Sequence, residues 1–215
     1  MDLEGALKSK ELQSWINKSW LNSDKIKKIR SSFSNSKPFE HAELADLFNE
    51  AKLRKILADL EKEPFIRKES DLFKFEQTED LESSKVNSLK EFRDFLCSEE
   101  FILFLRELFG IKLKTGKINL TGTRYSDTDF LLPHDDRLEG RKLAYMIYLT
   151  DLNKKDGGSL SLLDSKNSIP TSSAKRIMPN FNKFIAFKVS EKSFHEIEEV
   201  ISNKKRIALS GWFYG

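Results

Sequence analysis

From Gly110 onward the chain abandons helical periodicity and breaks into short apolar segments closed by turn-forming residues, and this restricts the fold more than any other feature. Residues 117–124, 130–136, 142–150, 159–164, 174–178, 183–189, 195–201 and 205–214 each have the length and residue types of a β-strand. The breaks hold Ser126-Asp127, Glu139-Gly140, Asp156-Gly157-Gly158, Pro170, Pro179-Asn180 and Ser202-Asn203, residues that favour turns. Short strands at such regular spacing predict a jelly-roll sandwich or barrel.

Before Gly110 the pattern is different. Segments 42–61 and 88–109 place Leu, Phe and Ile at three- and four-residue intervals among charges, which predicts amphipathic helices. The stripe Phe92, Phe95, Leu96, Phe101, Leu105 and Leu108 is assigned to core packing, with Gly110 as the C-terminal cap. Residues 65–75 nearly alternate apolar with charged and predict a strand or hairpin. No internal repeat or low-complexity linker divides the chain. The expectation is an α+β fold in one domain, 1–215, with a mainly helical support region, 1–110, packed on a β core, 111–215.

Composition narrows the function classes. Thirty-seven basic and thirty-four acidic residues leave a net charge of +3, too small to argue for direct nucleic-acid binding. The single Cys97 excludes an intrachain disulfide and fits a reducing compartment. No apolar run approaches membrane-spanning length, and Asp2, Glu4, Lys8, Lys10 and Glu11 stand where a signal peptide needs apolar residues. A cytoplasmic monomer with no membrane partner is expected.

The chemistry lies in Pro133-His134-Asp135-Asp136, taken with His195 and Arg206. On a strand, residues two apart point to the same face, so His134 and Asp136 can grip one metal while Asp135 faces away. A second His completes a two-His, one-carboxylate set, which leaves metal positions open as in non-haem iron(II) oxygenases. If Ser202-Asn203 closes a hairpin, Arg206 lies opposite Glu199, and Glu199 shares the face of His195 because their separation is even. Arg206 then faces the same cavity, four residues or roughly 13 Å along the strand from His195. Its planar fork suits a carboxylate at the far end of a metal-bound ligand.

The stretches YSDTDFLLPHDDRLEGRKLAYMIYLT, DGGSLSLL and PNFNKFIAFKV...SFHEIEEV...KRIALSGWFYG, with KESDLFKFEQTEDL more weakly upstream, carry a resemblance. The chain resembles the iron(II)- and 2-oxoglutarate-dependent dioxygenases, within them the prolyl hydroxylase branch whose eukaryotic members modify a ribosomal protein of the decoding centre. The resemblance implies a double-stranded β-helix in which His134, Asp136 and His195 hold iron(II) and Arg206 holds the distal carboxylate of 2-oxoglutarate. It also implies that Tyr125 and Tyr148 contact this cosubstrate; judged alone, Tyr148 in its apolar run is a core aromatic with a satisfied hydroxyl. The implied reaction spends O2 and 2-oxoglutarate, giving succinate and carbon dioxide, to hydroxylate a prolyl residue of a protein, with ascorbate as a stimulant. Eukaryotic members carry a second, degenerate domain of the same fold, so the resemblance covers a catalytic module only. An oxygenase acting on another residue, a small molecule or a nucleic acid, and a non-catalytic binding module, are the competing readings.

Other chemically capable residues have plainer roles. His41 is expected at a solvated helix end, Cys97 as a small half-buried side chain, and Gly157-Gly158 as a turn, since neither P-loop spacing nor a Lys-Ser or Lys-Thr follows it. The basic run 25–30 is expected to be a charged helix face.

Overall fold

A computed structural model describes residues 1–215. Its regular elements, in order, are α1 (Leu3–Lys8), α2 (Lys10–Trp15), α3 (Ser23–Asn35), β1 (His41–Ala45), α4 (Glu50–Leu60), β2 (Ile66–Ser70), β3 (Phe73–Gln77), α5 (Asn87–Cys97) and α6 (Glu99–Phe109). The second half supplies β4 (Thr121–Tyr125), β5 (Phe130–His134), β6 (Arg141–Tyr148), β7 (Leu160–Lys166), β8 (Ile169–Ile177), β9 (Lys183–Lys188), β10 (His195–Ile197) and β11 (Arg206–Tyr214). All eight strands expected after Gly110 therefore form. No helix is long and apolar enough to cross a membrane.

The strands make one curled antiparallel sheet in the order β1-β9-β6-β11-β4-β3-β5-β10-β7-β8, with β2 hairpinned onto β3. Curling brings the layer containing β9, β6, β11 and β4 over the layer containing β5, β10, β7 and β8, the double-stranded β-helix arrangement. Strand β3 bonds to both β4 and β5 and closes one side between the layers. Alternation then sorts the side chains. Leu143, Tyr145 and Ile147 of β6, with Leu209 and Phe213 of β11, face the helices and join a core with Phe92, Phe95 and Phe101. Ala144, Met146, Tyr148 and Ala208 face inward and meet Leu160, Leu162, Ile177 and Ile197 of the other layer. Burial on both faces explains why the β6 sequence is an unbroken apolar run rather than an alternating one.

Three expectations about the first half are corrected. Segment 42–61 is not one helix: residues 41–45 form β1, an edge strand paired with β9, and the helix starts only after Asn49, whose side chain caps Lys52 N. Segment 88–109 is two helices, because Ser98 takes an extended ψ of 154° and its hydroxyl caps Phe101 N of α6. The division at residue 110 is also less clean than composition implies, since β1, β2 and β3 belong to the sheet. The hairpin expected within 65–75 does form as β2–β3, and Gly110 ends α6 in the left-handed region at φ 68°.

One correction concerns the site directly. Strand β10 is only three residues long and pairs with β5 and β7, not with β11. Residues 199–201 cross between layers instead: Val200 N donates to Asp129 O, Gly158 N donates to Glu199 O and Ile201 N donates to Asp156 O. No hairpin closes at Ser202-Asn203, and Arg206 lies opposite Tyr125 of β4.

Phe101 joins the helices to the sheet, with its ring 4.8 Å from that of Phe95 and 6.2 Å from that of Phe213, and it is completely buried. Replacing it with alanine is expected to cost about 3–5 kcal/mol, measured as a lower urea midpoint at unchanged slope.

Candidate metal and carboxylate site

His134 ends β5 and His195 begins β10, and the two are direct cross-strand partners. Their side chains therefore emerge on one face with ring centroids 4.1 Å apart. In each ring Nδ1 lies 2.9 Å from a backbone carbonyl, that of Leu132 or Ser193. A carbonyl can only accept, so Nδ1 carries a proton in each ring, and in the neutral tautomer Nε2 offers a lone pair.

Asp136 reaches the same point by a different route from the one strand alternation predicts. Strand β5 stops at His134, and Asp136 sits beyond it in the left-handed region at φ 62°. Its carboxylate oxygens stand 3.6 Å from His134 Nε2 and 3.4 Å from His195 Nε2, and the three donor groups lie within 4.8 Å of one another. Asp135 turns away, accepting from the Arg137 main chain and guanidinium, whose bonds more than offset burial and hold its carboxyl below the usual range. Burial, reinforced by the neighbouring His134 and opposed by Asp136, pushes His195 down to about 4. The Asp136 carboxylate thus faces the Nε2 atoms of both imidazoles, and His195 is neutral at neutral pH. Such a set is satisfied by a cation, and its composition fits a divalent metal of the iron type.

Arg206 opens β11 and faces the same cavity, of about 280 Å³, as the His-Asp-His cluster. It is only 1% exposed, and its hydrogen bonds run to a carbonyl, a hydroxyl and a thioether rather than to a carboxylate. Nε donates to Gly158 O at 3.0 Å, Nη2 donates to Tyr148 Oη at 3.3 Å, and the rings of Tyr125 and Tyr148 lie 5.1 and 5.0 Å from the guanidinium carbon. Burial raises both phenols above their ordinary value, against the pull of Arg206, so both remain hydroxyls. Tyr125 lines the cavity and stacks on Phe75 at 5.1 Å; Tyr148 stands behind Arg206 rather than in the cavity wall.

The turn at Gly157-Gly158 does more than reverse the chain. Both glycines have φ 69°, and a Cβ on Gly157 would collide with the Glu199 carbonyl. The adjacent Gly158 O accepts Arg206 Nε, so this close approach lies beside the Arg206 contact. Trp212 and Phe75 are further cavity residues that motif reading left without a role. Trp212 was accessible to parity, since six residues separate it from Arg206 on one strand. Arg141 stacks 3.4 Å from its ring centre, and Arg141 Nε and Trp212 Nε1 have no hydrogen-bond partner. His41 and Cys97 lie away from the cavity: His41 is buried in β1 rather than at a helix end, and Cys97 is half-buried at the end of α5.

Comparison with known proteins agrees with this geometry. Residues 120–214 match the family described as "2OG-Fe(II) oxygenase superfamily". Over 205 residues the chain is 36% identical to "Prolyl 3-hydroxylase OGFOD1" of Mus musculus, covering 88% of this chain and 37% of that protein. It is 32% identical over 207 residues to "Prolyl 3,4-dihydroxylase OGFOD1" of Ostreococcus tauri, covering 88% and 40%. The chain thus spans well under half the length of these curated relatives. A crystal structure of a Pseudomonas putida prolyl-4-hydroxylase superposes with a TM-score of 0.70 at 14% identity, covering 88% of this chain and 98% of that one, which establishes likeness of fold.

The depressed His195 predicts a pH dependence for the metal-free protein. Its folded value of about 4 lies below the ordinary 6.5, so the unfolded chain binds the extra proton first. Stability from this group is complete above about pH 6.5 and falls as pH drops through about 4, by up to ~3 kcal/mol. Denaturation midpoints of wild type and His195→Gln measured from pH 7 to 4.5 check this: the wild type should lose more, and parallel losses would contradict it.

Proposed function

We propose that this chain, which belongs to the 2OG-Fe(II) oxygenase superfamily, is an iron(II)- and 2-oxoglutarate-dependent protein prolyl hydroxylase. The observation that carries the reading is one cavity with a convergent His-Asp-His cluster and a buried guanidinium that lacks any carboxylate of its own. His134, Asp136 and His195 would hold iron(II), and Arg206 would take the distal carboxylate of 2-oxoglutarate. Bound there, iron(II) supplies the oxygen chemistry that no side chain can perform.

The residues supply binding, orientation and exclusion of water. Arg206 is held rigid by Gly158 O and Tyr148 Oη, so its remaining donors are already aimed when a carboxylate arrives. Tyr125, kept protonated by burial, offers a hydroxyl donor in the cavity wall. Phe75, Leu131, Met146 and Ile197 give the wall an apolar part, beside the polar Gln77, Thr123 and Ser210, and this part helps to exclude water.

The names of the curated relatives support a prolyl residue of a protein as substrate, and a ribosomal protein is the specific target we favour. We place this catalytic domain in the cytoplasm as a monomer; its lone half-buried cysteine is in keeping with a reducing compartment.

Iron-loaded protein incubated with 2-oxoglutarate and proline peptides of candidate proteins should form succinate and add the mass of one oxygen atom to a proline, with His134→Ala inactive. Absence of both products would overturn the oxygenase reading. Oxygen on another residue would overturn only the prolyl one. The ligand roles separate by calorimetry: Asp136→Ala should abolish metal binding, whereas Arg206→Met should leave it near wild type and weaken 2-oxoglutarate binding by about 1.5–3 kcal/mol, on the order of 10- to 100-fold. Equal loss of both ligands in either variant would contradict the assignment.

A further inference from the structure

Ser193 lies two residues before His195, in the turn after β9, and none of its surface is exposed. Its carbonyl accepts the Nδ1 proton of His195 at 2.9 Å. Its hydroxyl lies 3.0 Å from the carbonyl oxygen of Asp135. That carbonyl belongs to the peptide unit leading into Asp136, so one serine touches both the second imidazole and the hinge of the carboxylate.

The hydroxyl has a single proton and two carbonyls within reach, Asp135 O and Ser190 O, the latter at 2.8 Å. Ser190 O already receives the main-chain N–H of Ser193, whereas no other protein donor reaches Asp135 O. Pairing is therefore most complete when the proton goes to Asp135, while the hydroxyl lone pair accepts Ser190 N at 3.0 Å. The bond matters because Asp136 adopts φ 62°, a conformation that costs a non-glycine residue about 1–2 kcal/mol. Fixing the peptide plane before Asp136 holds that rotation. The plane after it is held separately, by Arg141 Nη1 donating to Asp136 O at 3.3 Å.

We propose that Ser193 is a positioning residue, which ties His195 to the Asp136 turn so that imidazole and carboxylate meet a metal ion as one preset unit. The inference rests on the reading of His134, Asp136 and His195 as metal ligands. Removing the hydroxyl leaves the His195 contact intact, since that runs through the main chain, and frees the carboxylate turn. The expected loss is therefore in metal binding rather than in folding.

The test measures Mn(II) affinity of metal-free protein by electron paramagnetic resonance, alongside urea stability, for wild type, Ser193→Ala and Ser190→Ala. Ser190→Ala removes a contact in the same turn, from Lys192 N to Ser190 Oγ, without touching Asp135. Ser193→Ala should bind Mn(II) on the order of 10-fold more weakly, with Ser190→Ala at wild-type affinity and similar stability. Ser193→Cys, close in volume but a weak donor, should show the same loss and replaces the alanine variant if that does not fold. Wild-type affinity in the Ser193 variants, or an equal loss in Ser190→Ala, would overturn the inference. Failure of the wild type to bind Mn(II) would instead overturn the metal-ligand reading and the inference with it.

Discussion

A guanidinium buried to 1% exposure without a carboxylate is the constraint around which the rest of the molecule is arranged. Taking such a charge out of water costs several kcal/mol unless hydrogen bonds and polarisable groups replace the lost solvent. Gly158 O, Tyr148 Oη and the faces of Tyr125 and Tyr148 provide part of that replacement, brought together from the turn before β7 and from strands β6 and β4. The incomplete remainder suits the proposed binding of a carboxylate in the cavity. Residues 156–158 and 199–201 then acquire a purpose: their mutual main-chain bonds hold in place the glycine carbonyl that receives Arg206.

Strand β11 transmits this arrangement to the fold. One face, Ile207, Leu209 and Phe213, is locked against the helices. The other carries Arg206, Ala208, Ser210 and Trp212 into the interior, so packing of the helical core sets the height and direction of the site residues. The His-Asp-His cluster sits on the opposite layer, where β5–β10 pairing makes the two imidazoles neighbours without any help from the metal. Two rigid layers thus hold two halves of one site, and the space between them is the ligand cavity.

Much of this was legible in the sequence, though not always for the reason that made it legible. Eight strands after Gly110 were marked by turn residues at regular intervals, and turn chemistry is local. The helices blurred where tertiary contacts intervened: 41–45 became a strand because β9 offered an edge, and Ser98 split 88–109 because an N-cap competes with helix continuation. Strand parity proposed the His134–Asp136 pairing, and the two side chains do converge, yet Asp136 lies off the strand in a left-handed turn. Likewise Arg206 shares a cavity with His195 through pairing with β4 and β6, not through a hairpin with β10. In both cases family resemblance constrained the answer more firmly than the local geometry used to reach it.

By itself the chain determined the quantities that depend on neighbours in sequence: strand and turn positions, the α-to-β change at Gly110, and the residue types able to bind a metal and a carboxylate. Only the tertiary structure decided which strands pair, that Tyr148 backs Arg206 instead of lining the cavity, that Gly158 lends it a carbonyl, and that Ser193 joins His195 to the Asp136 turn. The physical reason is range. Turn and periodicity signals arise within a few residues, whereas burial of a charge and convergence of ligands depend on hydrogen bonds between segments tens of residues apart, whose partners no local pattern specifies.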